Sequence, residues 1–182
     1  MQRMKYFILT IMMIVFVSVV QSQSFSSSTG EVSFVSNAPA EMITASQKQG
    51  FFAYDASTGE VAAVVLIKGF QFKNSLMQEH FNENYMESEK FPESTLSGTI
   101  EQFNTAQFQK NGEYNVTVHG NFTLHGFTKH VHIPVQLKVK GNVVSISANF
   151  NIQLADYGIK NDKSQYINDT IAISLKGDLK KK

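Results

Sequence analysis

The chain has no cysteine and no tryptophan, and only three prolines among 182 residues. Without cysteine it can form no disulfide, no thiolate metal centre and no lipid-modified cysteine behind a leader. An exported protein of this kind rests on its core and its hydrogen bonds. An excess of one charge is missing too, since 16 Lys and Arg stand against 15 Asp and Glu. Near-neutrality gives no electrostatic reason to expect nucleic acid or an anionic membrane surface as a partner. No G-x-S-x-G elbow is present, so that serine-hydrolase signature is lacking as well.

What is present starts with an apolar run. Tyr6 to Val20 follows the basic opening Met1 to Lys5. The run is shorter than the roughly 20 residues of a spanning helix and fits a secretory signal. Small residues follow, and cleavage is expected near Ser22. The alternative is an uncleaved amino-terminal anchor. The expected organisation is a signal peptide over 1–22 and one domain over 23–182, with no stable membrane span after cleavage. Removing 22 of 182 residues leaves 160, enough for one core. Losing Arg3 and Lys5 takes the formal charge from +1 to −1. Phe7 and Phe16 leave with the signal, and 13 of the 15 phenylalanines remain, which suits a wide, dry interior.

Gly112 to Lys140 organises the rest. Tyr114, Val116, Val118, Gly120, Phe122 and Leu124 alternate with Asn115, Thr117, His119, Asn121, Thr123 and His125. After Gly126, Phe127, Val131, Ile133, Val135, Leu137 and Val139 alternate with Thr128, His130, His132, Gln136 and Lys138. Period-2 alternation means strands with one dry face, and the glycine between them makes a hairpin. With Gly126 and Phe127 at its tip, His130 would lie opposite Thr123. A lone hairpin is marginal in water, so more chain must cover its apolar face.

Further strands are expected at Glu31–Ser36, Gly50–Asp55, Glu60–Phe72, Ser94–Phe103, Val143–Leu154 and Thr170–Leu179. Ser24–Ser28 reads as a polar lead-in and Lys180–Lys182 as a solvated tail. Glu41–Gln47 fits either a helical turn or an edge strand. Asp156 to Ile159 reads as a bend or bulge. Between strands the period changes: Leu76, Met77, His80, Phe81, Asn84 and Tyr85 recur at helical spacing. Ser75 with Gln78 resembles a capping box, so one helix is expected over Leu76 to about Met86. Some eight antiparallel strands, each dry on one face, form a sandwich or close on themselves. Strands of ten residues or more favour closure. Eight strands enclose either a solid core or room for one small ligand, and periodicity does not choose between them.

The run Asn74 to Pro92 (NSLMQEHFNENYMESEKFP), Gly98–Ile100, Gly120–Lys129 (GNFTLHGFTK) and Asp156–Ile159 together resemble the YceI-like family. The resemblance covers Phe25 to about Leu179. One departure is His130, where a proline often follows the Thr-Lys pair. The resemblance implies a mainly β fold, an extended eight-stranded antiparallel β-barrel, lipocalin-like, with one inserted helix. It implies a bacterial periplasmic or secreted protein that binds a long-chain isoprenoid or another amphiphilic lipid in the barrel. It implies no catalytic centre and no cofactor. A second copy of the chain, making a homodimer, is a further candidate partner.

The candidate ligand-lining residues are Phe70, Phe72, Met77, Phe81, Tyr85, Tyr114, Val116, Val118, Phe122, Phe150 and Ile152. Each of them serves equally as ordinary core. The helix start at Asn74 and Ser75 is a candidate contact for an anionic head group. His119, His125, His130 and His132 crowd the hairpin and suggest imidazole ligation of zinc or copper. No Cys, Asp or Glu joins them in sequence, so a wet exterior face is the plainer reading and no metal is expected. Glu79, Glu83 and Glu87 sit four apart, as on a solvated helix face. Asn115, Asn121 and Asn168 begin N-x-T sequons, read here as polar strand positions. The rival functions are a solid-cored structural barrel of the cell envelope and, further off, a metal-dependent hydrolase.

Overall fold

A computed structural model describes residues 23–108 and 110–182; the expected signal peptide over 1–22 lies outside the described residues. The strands are β1 Ser24–Asn37, β2 Met42–Asp55, β3 Glu60–Leu66, β4 Gln71–Phe72, β5 Glu93–Ile100, β6 Gly112–Leu124, β7 Phe127–Lys140, β8 Val143–Gln153 and β9 Thr170–Lys181. Their order is β1-β9-β8-β7-β6-β5-β3-β2, and β2 pairs back to β1. Eight strands therefore close into an antiparallel barrel, and the two-residue β4 adds onto β2 at Ala45 and Ser46. Closure pairs the two outer strands that an open sheet would expose.

The hairpin forms with a different tip. Thirteen residue pairs run from Gly112↔Val139 to Leu124↔Phe127, and His125-Gly126 is the loop. Both loop residues have positive φ, 50° and 77°, the two-residue turn whose twist matches the strands. The register consequently sets His119 opposite His132 and Asn121 opposite His130. Phe127 is half exposed and His125 is buried, the reverse of the expected faces.

The structure corrects the expected β1 and β2, and one feature explains both. Their pairing shifts by one residue on each strand between Ser27↔Phe52 and Val32↔Gln47. Each strand carries an extra residue there, a bulge that keeps the dry side inward while breaking the alternation. Gln47, 2% exposed, secures it. Its Oε1 accepts from the Gln49 N–H at 2.6 Å and its Nε2 donates to the Leu66 carbonyl at 3.3 Å. The ambiguous Glu41–Gln47 and the strand at Gly50–Asp55 are thus one strand. The polar lead-in and the basic tail are strand too: Phe25 pairs with Lys181 and Ser26 with Lys180.

The expected strand Glu60–Phe72 breaks at Leu66. Ile67–Gly69 makes a 3₁₀ turn whose Ile67 N–H donates to the Pro92 carbonyl at 2.9 Å. The helix α1 spans Ser75–His80 and widens into a π turn over Phe81–Tyr85, where the Met86 N–H reaches the Phe81 carbonyl at 2.9 Å. Its cap is Asn74, whose Oδ1 accepts from the Leu76 N–H at 2.8 Å. Ser75 is not the cap, and Gln78 instead accepts from the Phe72 N–H. A second short helix, α2, covers Thr105–Phe108 in the expected Ser94–Phe103 region's wake, since β5 ends at Ile100.

The interior has two parts. One end is packed solid around Phe25, Phe52, Tyr54, Phe108, Leu137, Val144 and Leu179. The other gathers Ile67, Met86, Phe122, Leu124, Ile152, Leu154, Tyr157, Ile159 and Ile171. In the solid end, the Tyr54 hydroxyl is buried with no hydrogen-bond partner among the described residues. Burial, then the Asp55 carboxylate, pushes this phenol well above its ordinary value of 10.0. Below pH 10 the phenol is neutral in both folded and unfolded states and its shift is silent; above pH 10 it ionises only on unfolding, so stability falls as pH rises further. Tyr54→Phe should therefore leave neutral stability unchanged or raise it by about 1 kcal/mol, because an unpaired buried hydroxyl disappears. It should also lessen the alkaline loss. Urea unfolding at pH 7 and pH 11 reads both effects.

A candidate apolar cavity under the helix

A cavity of about 340 Å³ opens at the second end of the barrel. Its walls come from β1 (Val32, Phe34), the 3₁₀ turn (Ile67), β4 (Phe72), α1 and its π turn (Met77, Phe81, Tyr85), β8 (Ile152) and β9 (Ile171, Ile173). The period-2 faces bring the strand residues inward, and the helical period of α1 turns Met77 and Phe81 onto them.

Four phenylalanines make one wall. Ring centroids of Phe34 lie 5.4 Å from Phe70, 5.8 Å from Phe72 and 5.5 Å from Phe81. Phe72 and Phe81 are 5.0 Å apart. Edge-to-face and tilted contacts at these spacings hold the rings beyond what burial alone gives. Phe34 and Phe81 pack against both interior clusters, so this wall adjoins the solid end.

The polar groups stand at the rim. Asn74, Leu76, Lys163 and Tyr166 are exposed, and Glu41 and His80 are partly so. Asn168 fixes the strand-to-strand loop that carries Lys163 and Tyr166. Its N–H donates to Ser36 Oγ and its Nδ2 to the Asn37 carbonyl, each at 2.8 Å. The Ala40 N–H donates to the Gln165 carbonyl at 3.0 Å. Inside, burial and then the Asp162 charge hold the Tyr85 phenol above its usual range, so it meets a ligand as a neutral hydroxyl. At the helix start, Asn74 Oδ1 already occupies the Leu76 N–H, and α1 is only six residues long.

Of the sequence-derived candidates, Phe70, Phe72, Met77, Phe81, Tyr85 and Ile152 line the cavity. Tyr114, Val116 and Val118 instead pack in the solid end, where Phe108 meets the Tyr114 ring at 5.0 Å. Phe122 and Phe150 lie behind the wall, their rings 6.0 Å apart. Among the lining residues that sequence reading missed are Val32, Phe34, Ile67, Leu124, Ile171 and Ile173, together with the rim beyond Asn74. Phe34 and Ile173 were legible as inward strand positions. The rim was not, because loop residues carry no period.

The buried His125 beside this end is part of the framework. Its Nδ1 lies 3.0 Å from the Tyr157 carbonyl and its ring 4.6 Å from Phe91.

Among solved structures the fold is shared with a polyisoprenoid-binding domain from Saccharophagus degradans implicated in plant cell wall breakdown. That likeness has 12% identity and a TM-score of 0.75, covering 89% of this chain and 100% of the other. Burkholderia cenocepacia BcnA is 17% identical at TM-score 0.64, over 82% of this chain and 95% of its own. A Campylobacter jejuni YCEI protein is 13% identical at TM-score 0.59, over 98% and 99%. No curated protein matches the chain in sequence. The YceI-like domain matches residues 9–179; with the closed barrel and its inserted helix built from that same stretch, the chain belongs to the YceI-like domain family.

Proposed function

We propose that this protein holds the apolar tail of an isoprenoid or similar amphiphilic lipid in the cavity under α1, for transport, storage or sequestration. The observation that carries the reading is a cavity walled mostly by aliphatic and phenylalanine side chains, with its charged groups at the rim and only the Ser36 and Tyr85 hydroxyls further in. A relative of the same fold is a polyisoprenoid-binding domain, which supports the class of ligand. The basic and apolar opening of the chain supports export to the periplasm or beyond. The reading assigns no catalytic step.

The volume sets a scale. At roughly 30 Å³ for a methylene-sized group, close to one water's share of liquid, the cavity takes on the order of ten carbons. Each buried methylene is worth about 0.8 kcal/mol, or roughly fourfold in affinity. Ten give about 8 kcal/mol, which the cost of association largely cancels. A longer tail must run out over exposed Leu76 and Tyr166, with its head among Lys163, His80 and Glu41.

In a homologous series of fatty amphiphiles, affinity should therefore climb about fourfold per methylene and flatten near ten carbons. Calorimetric titration reads the slope. Native mass spectrometry of the purified protein should show a lipid adduct or take one up from micelles. A protein that neither carries nor acquires lipid, and shows no dependence on tail length, is a structural barrel instead.

A further inference from the structure

We propose that the outer face of β5–β7, outside the cavity, binds a divalent transition-metal cation through His119, His130 and His132, with Glu101 orienting His132. The fold supplies what the sequence lacked. Glu101, 31 positions from His132, places Oε1 2.6 Å from His132 Nδ1.

Each of the three imidazoles has one ring nitrogen engaged. His132 Nδ1 meets Glu101, His119 Nε2 meets Thr99 Oγ1 at 2.8 Å, and His130 Nδ1 meets Asn121 Oδ1 at 3.4 Å. Among the described residues the other nitrogen of each ring has no protein hydrogen bond. Metal-binding histidines show this division: one nitrogen held by a carboxylate, amide or hydroxyl, the other left as a lone pair for the cation. Glu101 on His132 is the carboxylate–histidine half of such a relay.

The spacing fits as well. Ring centroids are 5.5 Å apart for His130 and His132, 6.0 Å for His119 and His130, and 6.1 Å for His119 and His132. A point equidistant from all three lies about 3.4 Å from each centroid. A metal bound at 2.0–2.1 Å to a ring nitrogen sits roughly 3.2 Å from that ring's centre. Among the described residues, no three such side chains already converge to hold an ion, so closure takes rotation of the rings. His130 and His132 are exposed and His119 half-buried; Glu101 and His132, both exposed, can shift together as a pair, and the 3.4 Å contact of His130 with Asn121 is the one that yields. Three imidazoles with water in the remaining position suit copper(II) and zinc, copper the tighter.

The test is titration of the purified protein with copper(II) sulfate, followed by electron paramagnetic resonance, and with zinc chloride by calorimetry. The expected result is one ion per chain with at least two nitrogen ligands. His119→Ala, His130→Ala and His132→Ala should each weaken it at least about tenfold, and Glu101→Gln about tenfold. Asp178→Ala, an exposed β9 position off this face and off the cavity, should leave it unchanged. No stoichiometric uptake overturns the proposal, as does uptake that survives all three histidine substitutions. A wild-type copper spectrum with fewer than two nitrogens does so whatever the variants show. Lipid binding is read separately and is unaffected by either outcome.

Discussion

Ile173→Trp is expected to weaken binding of a long-tailed amphiphile about a hundredfold and to move the chain-length plateau down by several carbons. Ile173 lies on β9 opposite Phe34 of β1 and forms part of the cavity wall. An indole there occupies the space of about four methylenes, worth roughly 3 kcal/mol at 0.8 kcal/mol each. The substitution fills open space, so the overpacking cost of a tight core does not apply. The melting temperature should stay within a few degrees of the parent, which separates a blocked cavity from a lost fold. A folded variant with undiminished affinity would place the tail somewhere other than this cavity.

Phe52→Ala should lower the unfolding free energy by about 3–5 kcal/mol, the range for deleting a buried phenylalanine. The ring is 2% exposed and lies across three glycines from three strands. A Cβ on Gly30 would stand 2.2 Å from Phe52 Cε2, one on Gly177 3.0 Å from Cδ2, and one on Gly50 3.2 Å from Cζ. The glycines make the slot and the ring fills it, so the two defects should couple. Gly30→Ala should be costly beside Phe52 and much cheaper beside Ala at position 52, a non-additivity that a double-mutant cycle measures. Denaturant unfolding gives all four corners. A loss under about 1 kcal/mol for Phe52→Ala would mean that this end of the barrel is loosely filled.

These two substitutions divide the barrel. One end is closed by Phe25, Phe52, Tyr54 and Phe108; the other is left open beneath α1. The ligand-lining candidates were drawn from inward alternation, and alternation is identical in both ends. Val116, Val118 and Ile152 all point inward; only Ile152 reaches the cavity. What separates them is position along the strand relative to Phe52 and α1, which no window of local sequence reports.

Strand existence followed from period 2 wherever one face is wet, as in β6, β7 and β8. It failed where a bulge shifted the phase, as at Gln47, and where the paired segments were both polar, as with Ser26 and Lys180. It failed too at Leu66, where an apolar run continues past the end of its strand because Ile67 bonds to Pro92. The tip of the central hairpin moved by one residue because His125 and Gly126 together adopt the left-handed backbone that a two-residue loop requires. That single step set His119 against His132.

By itself the sequence determined a mainly β chain of long amphipathic strands with an inserted helix, and a phenylalanine-rich interior. These follow from local periodicity and composition, which act within a few residues. Only the tertiary structure decided that one end is plugged and the other hollow, and that Glu101, just past β5, meets His132, one of three histidines gathered on β6 and β7. Both depend on contacts between residues tens of positions apart. Such contacts are set by strand register and closure, and a one-residue shift changes them while leaving every local pattern intact.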